Sequence, residues 1–411
     1  WDKDSNKFYS PSEKELHHLA RWNGPQPSDW STWVDFAHAT ANDWVLIPEL
    51  VSDPIVNLKA VKNYVAINKI RCAWLFYDTI PWKMSADFPI HVSDAHRQYM
   101  ENLNEFELIF PISHFSRRNL ISFLAALPCK MSNLENRILT CSLPGEFLES
   151  RRLTNIKQEN LATIKILCVG TIEPRKKHLV LLQAFSQVIA QTHRSVELII
   201  VGGDPYPELA AQVKHYIKTN PGVRWEKDVS DENLSELYDS CDFTVYPSME
   251  EGFGLPILES MWFAKPCICR NSGAMMEAAE EGGCLMVETT DPDALTDAML
   301  RLVEDDVLRL ELSEEAVNRQ FKTWHSYARE IVTRMATERH VPLRQFLPEP
   351  IDRTGFYDKF VNLHPRPLLS ICISTYNREE WLAVSLKNLT RILPNPHTDI
   401  EIVVCDNASS D

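Results

Sequence analysis

The chain has 411 residues, 44% of them hydrophobic and 24% charged, with a formal net charge of −15. That length predicts two or three globular domains rather than one core. The acidic balance excludes a large nucleic-acid footprint, which needs a dominant basic field. No apolar run approaches the roughly 20 residues that span a bilayer. Ten cysteines form no CxxC pair. Cys72, Cys168, Cys267, Cys269 and Cys405 sit in apolar runs, so buried thiols and a reducing, cytoplasmic setting are expected. The stretch 151–177 is basic and 228–297 acidic. A local basic patch on an acidic protein fits a small anionic ligand.

Residues 1–40 are polar with scattered aromatics, among them Trp22, Trp30 and Trp33, and show no clear period. His17 and His18 have no third partner at metal spacing and read as a surface pair. A chain that opens on Trp1 rather than Met is expected to lack its natural beginning, and with it part of the first domain. Strands are predicted over 44–50, 70–78, 106–113 and 138–143, with helices over 93–103 and 119–127. A second series of strands follows at 164–170, 196–203, 223–227, 243–248, 266–270 and 283–288. Their near-continuous apolar character suits strands buried on both faces. Helices fall between them at 179–191, 207–219, 231–239, 255–263 and 291–304, and a long amphipathic stretch runs over 306–335. Strands alternating with helices predict parallel sheets and two Rossmann-like α/β units, 1–150 and 151–335. Residues 336–367 carry Pro342, Pro348, Pro350, Pro365 and Pro367 and read as a linker. Residues 368–411 hold two more apolar strands around a helix over 379–392. Such a fragment is expected to rest against the 306–335 helix, to pair through its open edge with a copy from another chain, or to be poorly ordered; edge pairing, and with it a homo-oligomer, is the favoured reading.

The sharpest motif is Glu250-Glu251-Gly252-Phe253-Gly254-Leu255-Pro256-Ile257-Leu258-Glu259, entered from the strand FTVYPS. Gly252 and Gly254 let the backbone turn and approach a ligand, and Pro256 suits a first helical turn. The free amides of that turn suit phosphate oxygens. Glu251 and Glu259 offer carboxylates to sugar and ribose hydroxyls. The second motif is VGTIEPRKKH. Gly170 ends a strand, Thr171 opens a loop, and Arg175 and Lys176 are expected to open the next helix. There they oppose the helix dipole unless a diphosphate neutralises them.

EEGFGLPILES resembles the E-x7-E motif of family-4 retaining glycosyltransferases, and VGTIEPRKKH resembles the loop that family usually ends R-K-N, with Lys177 at the third place. The resemblance implies a GT-B fold, two Rossmann-like domains facing across a cleft. It implies that Glu251, Arg175 and Lys176 act on the donor sugar and diphosphate, and that Glu259 takes the ribose. Gly170, Thr171, Gly252, Phe253, Gly254, Leu255 and Pro256 would line the donor. Phe76-Tyr77-Asp78-Thr79-Ile80-Pro81 resembles the family's H-D-x-I-P segment; Asp78 matches and Tyr77 replaces the histidine. Ile112–Arg117 resembles its following N/S-x-x-S-R/K segment. LLSICISTYNREEWL and DIEIVVCDNASSD resemble the start of a family-2, GT-A glycosyltransferase, with Thr375, Tyr376, Asn377 and Asp406 at nucleotide-facing positions.

The expected activity is transfer of a sugar from a nucleoside diphosphate sugar, GDP-mannose by the Y-D-T-I-P segment, to a glycan or lipid-linked glycan with retention. The expected setting is synthesis of a bacterial surface polysaccharide at the inner face of the cytoplasmic membrane, with peripheral membrane association. No cofactor and no metal are expected. A nucleotide-sugar epimerase of related fold and a catalytically degenerate support for the family-2 domain are the alternatives. A plain NAD-binding protein is disfavoured, because no GxGxxG follows a strand.

Overall fold

The computed structural model describes residues 43–48, 63–156 apart from 64, 105, 128–133, 148–149 and 155, and 163–337 apart from 228. Of 369–375 and 400–406 it describes the backbone. His17, His18, Trp22, Trp30, Trp33, the prolines of 342–367 and the predicted 379–392 helix lie outside the described residues. The chain divides into two units, one of residues 1–112, 117–141 and 324–411, the other of 113–116 and 142–323.

The first unit has a parallel sheet of order β11-β10-β1-β2-β3. Its strands are β1 Trp44–Ile47, β2 Arg71–Phe76, β3 Leu108–Pro111, β10 Leu369–Thr375 and β11 Ile400–Asp406. The helices α1 Ile80–Lys83, α2 Ile90–Leu103, α3 His114–Ala125 and α4 Leu134–Arg137 follow the strands in sequence. Fully buried Trp74 and Phe76 pack on Tyr99, and Trp74 also meets Phe106, its ring 4.9 Å away. Large rings at alternate positions of β2 explain why so short a sheet builds a core. The predicted strand at 138–143 is an irregular segment. It makes one parallel bridge, Ile138 to Ile109, and Leu139 and Cys141 donate amides to Ile109 and Pro111.

The strands of the 368–411 segment are paired in a way the sequence did not foretell. β10 and β11 pair in parallel, and β10 adds to β1, with Val45 opposite Ser370 and Leu46 opposite Ile371. The chain's own first sheet supplies the edge that was expected from the 306–335 helix or from another chain. An unpaired row of N–H and C=O groups on β1 is a ready template for such addition.

The second unit has a six-stranded parallel sheet of order β6-β5-β4-β7-β8-β9. Its elements run β4 Thr163–Val169, α5 His178–Gln191, β5 Ser195–Val201, α6 Pro207–Thr219 and β6 Val223–Glu226. After them come α7 Asp231–Ser240, β7 Phe243–Tyr246, α8 Leu255–Trp262, β8 Cys267–Arg270, α9 Gly273–Ala279 and β9 Cys284–Val287. The unit closes with α10 Pro292–Glu304 and α11 Asp306–Asn318. Strand β4 shows why apolar runs form this sheet. Ile164, Ile166 and Cys168 join one core cluster, whereas Leu167 and Val169 join another. A strand covered on both faces needs both sets apolar.

The expected long helix over 306–335 is two helices, α11 and then α12 Trp324–Thr337, and α12 belongs to the first unit. The break is at Arg319, which is extended and 5% exposed. Its guanidinium donates to the carbonyls of Ala278 and Gly282, and its own carbonyl accepts from Arg152. These three bonds to backbone fix Arg319 in its extended conformation.

Candidate functional site

In the second sheet the strand order reverses between β4 and β7, so their carboxyl ends form the place where open α/β sheets take ligands. The loop after β4 is fastened to the one after β5. Gly170 donates its amide to Val201 and Ile172 donates to Gly203, each at 2.8 Å. A side chain at Gly202 would put its Cβ 2.3 Å from the Gly170 carbonyl oxygen, so only glycine permits this approach. Thr171 lies in the same loop, half-buried.

Arg175 and Lys176 do not open the α-helix. They lie on a separate 3₁₀ turn, Pro174–Lys176, and Lys177 then takes the left-handed conformation at φ 51° before α5 begins at His178. Asparagine tolerates that conformation better than lysine, which gives a physical reason for the resembling family's R-K-N. The kink turns both cations onto one carboxylate. Arg175 and Lys176 each lie 2.6 Å from Glu251 Oε1, and Ser248 Oγ donates to the same oxygen at 2.6 Å. Arg175 also pairs with Glu173 at 2.6 Å, and Lys176 donates to the Tyr246 hydroxyl at 2.6 Å. Lys176 and Glu251 are 9% and 8% exposed. Burial alone would raise the Glu251 carboxyl, but Lys176 and Arg175 overcome it and hold the pKa at about 2. Burial likewise opposes the Arg175 charge, and Glu251 and Glu173 more than restore it. The result is a network of two cations and two carboxylates joined by three ion pairs.

The loop from Glu251 to α8 is held from several sides. Met249 donates its amide to the Arg175 carbonyl at 2.7 Å, and Arg270 donates to the Met249 carbonyl at 2.6 Å. The hydroxyls of Ser113 and Ser116 both donate to the Gly252 carbonyl, at 2.7 and 3.1 Å. Gly254 caps α8 at φ 101°, a conformation that favours glycine, and a proline stands in the first turn. The amides of Phe253, Gly254 and Leu255 precede any intrahelical partner, and Pro256 has none to offer. Such a helix start offers free backbone amides of the kind that suit anions, in the same unit as Arg175 and Lys176.

Glu259 stands on α8 itself, half-buried, and its Oε2 accepts the Tyr238 hydroxyl at 2.7 Å. Burial raises its pKa, and the Tyr238 hydrogen bond and Lys176 draw it back. Arg175, Lys176, Glu251, Glu259 and the Gly252–Pro256 turn are thus parts of one unit. Asp78 belongs to the other unit, where its Oδ1 accepts the Ile80 amide at 2.7 Å and its carbonyl meets His96 Nε2 at 3.0 Å. Tyr77, which replaces the expected histidine, donates its hydroxyl to the Pro48 carbonyl. Among the described residues no group of three His, Cys, Asp or Glu could hold a metal ion, and no helix is long and apolar enough to cross a membrane.

Sequence reasoning missed Glu173, Tyr246, Ser248, Tyr238 and the carbonyl held by Ser113 and Ser116. Tyr246 and Ser248 were visible as polar atoms at the end of an otherwise apolar strand. Ser113 and Ser116 lay in a noted segment but could not be paired with a glycine more than 130 residues away.

Two parallel α/β sheets, the second with a glycine-containing helix start beside paired cations and carboxylates, agree with the GT-B fold. Comparison with known proteins agrees. Residues 163–305 match the model of glycosyl transferases group 1, and residues 370–411 match that of glycosyl transferase family 2. A curated relative, O-antigen chain mannosyltransferase B of Escherichia coli, is 32% identical over 216 residues, which are 51% of this chain and 55% of that protein. The chain therefore spans about half the length of that relative. Among solved structures, Anabaena HepE in complex with UDP and glucose has a TM-score of 0.53 at 16% identity, covering 70% of this chain and 77% of that one. TarM of S. aureus has a TM-score of 0.52 at 15% identity, covering 67% and 52%. At such identities these two likenesses speak for the fold alone.

Proposed function

We propose that the chain is a retaining glycosyltransferase that moves a sugar from a nucleoside diphosphate sugar to a glycan or lipid-linked glycan, in the synthesis of a surface polysaccharide. The observation that carries this reading is the Glu251 carboxylate held by Arg175 and Lys176 at the head of α8. A leaving diphosphate gathers negative charge, and the two cations with the amides of Phe253–Leu255 are preorganised to take it. Gly170 and Thr171 shape the floor of that site. Glu251 takes the sugar hydroxyls and Glu259 the ribose. As the sugar bond breaks, a phosphate oxygen of the leaving group receives the acceptor proton on the same face, so no protein base and no metal enter the step. Asp78, on the first unit, is assigned a catalytic role by its match to the H-D-x-I-P segment, at the strand end that the resemblance turns towards the donor.

GDP-mannose is the favoured donor. The Y-D-T-I-P segment supports it, and so does the name of the Escherichia coli relative, a mannosyltransferase. A lipid-linked acceptor puts the work at the inner face of the cytoplasmic membrane. Incubation with radiolabelled GDP-mannose, UDP-glucose and UDP-N-acetylglucosamine, each with and without a lipid-linked glycan, tests the reading. Acceptor-dependent transfer is expected. Sugar-nucleotide turnover without acceptor points to the epimerase, and no turnover with nucleotide still bound points to a support module.

A further inference from the structure

Glu259 is positioned by one side chain. Tyr238, in the last turn of α7, donates its phenol hydrogen to Glu259 Oε2 at 2.7 Å. The ring is fixed independently of that bond. It stacks on Phe263 with 5.2 Å between centroids and 6° between planes, meets Phe147 edge-on at 6.4 Å, and is 1% exposed. Helix α7 is itself secured at both ends, by the Ser230 side chain capping the Asn233 amide and by the Cys241 amide on the Leu237 carbonyl. The phenol oxygen therefore has one place to be. The other carboxylate oxygen, Oε1, accepts no hydrogen bond from the described residues, and no described lysine or arginine hydrogen-bonds to Glu259.

We infer that Tyr238 is a positioning residue of the donor site, pinning one oxygen of Glu259 so that the other faces the ribose hydroxyls of the nucleoside diphosphate. This rests on the reading of Glu259 as the ribose ligand. A phenol suits the task, because a neutral donor orients a carboxylate without cancelling its charge, as a lysine would. Burial drives the Tyr238 pKa well above that of a free phenol, and neighbouring Glu259 adds to the shift, so the proton stays on the donor. In Tyr238→Phe the ring and its stacking remain and only the donor is lost. Glu259 then turns more freely, and its already raised affinity for a proton rises further. The loss of an acceptor should therefore grow as pH falls.

The test is calorimetry on the full chain with GDP and UDP and with their 2′,3′-dideoxy counterparts, at one mildly acidic and one mildly alkaline pH. Wild type should prefer the ribonucleotide. Tyr238→Phe should weaken it by about tenfold while changing the dideoxy form by less than about twofold, since a hydrogen bond to a charged group is at stake. The weakening should be larger at the lower pH. Glu259→Gln keeps the shape of the side chain and should weaken the ribonucleotide alone, and adding Tyr238→Phe to it should weaken binding little further. Equal losses for ribo and dideoxy forms in Tyr238→Phe, or additive losses in the double variant, would make Tyr238 a packing residue and overturn the inference. A wild type that does not distinguish the two sugars would overturn the ribose role of Glu259 beneath it.

Discussion

Glu251 and Glu259 stand at the two ends of one glycine-containing turn and helix, yet the fold treats them oppositely. Glu251 is clamped by Arg175 and Lys176, and its pKa is driven down to about 2 despite burial. Glu259 has one neutral partner, and burial moves its pKa the other way. The lesson is that a repeated residue type in a motif does not imply a repeated role. A carboxylate tied to two cations can be exchanged for a diphosphate on those cations, or can steer a sugar while they hold the diphosphate. A carboxylate pinned by a phenol can only accept hydrogen bonds.

Breaking the comparison at Glu251 should have the largest effect. Glu251→Ala should lower transfer by about a thousandfold, the scale of losing a preorganised group at the reacting centre. Bare diphosphate should still bind, because the same change frees Arg175 and Lys176. Initial rates with the full donor and calorimetry with the diphosphate check both halves.

Acid titration of stability separates the two carboxyls next. A depressed folded pKa gives Glu251 a stabilising share that is present above the unfolded value of about 4.5 and lost as pH falls towards about 2. That share is about 3 kcal/mol by the size of the shift. Denaturant melts of wild type should lose it across that window, and Glu251→Gln should show a flatter profile there. Glu259, with a raised folded pKa, has the opposite sign: its contribution is full below the unfolded pKa and is lost as pH rises through the folded one. Glu259→Gln should therefore leave stability at neutral pH unchanged or raise it by less than about 1 kcal/mol.

On the cation side, Lys176→Met should weaken a nucleoside diphosphate by about thirtyfold, as expected for a charge-assisted bond. Titrations at two salt concentrations should show a shallower salt dependence in the variant, since one charge of the contact is gone. The smallest effect should follow Arg270→Met. It removes hydrogen bonds to the Met249 carbonyl and to the Glu288 carboxylate, and because only the first holds the loop before Glu251, a loss of about threefold in donor affinity is expected.

The second unit was legible because its signals are local. Strands covered on both faces are apolar throughout, and the residues that turn the chain at Gly252–Pro256 lie next to the residues they position. Helix α9 at Gly273–Ala279 was overlooked because so short a helix carries less than two turns of periodicity. The bend at Arg319 and the partners of Gly252 depend on residues distant in sequence, and no periodicity reports them. The 3₁₀ turn at Pro174–Lys176 turned on the conformation of one residue, Lys177, whose side chain gives no sign of a left-handed backbone. In the first unit, β10 and β11 were recognised as strands, but pairing with β1 is a matter of which edge is free, and sequence pattern is silent on edges.

The most direct test of the account is calorimetry of GDP, UDP, dTDP and ADP in EDTA on wild type, Lys176→Met and Glu259→Gln. The account predicts that one diphosphate binds wild type without a divalent metal, and that each variant weakens it while the protein stays folded. Binding that requires Mg²⁺ or Mn²⁺, or that neither variant alters, would contradict it.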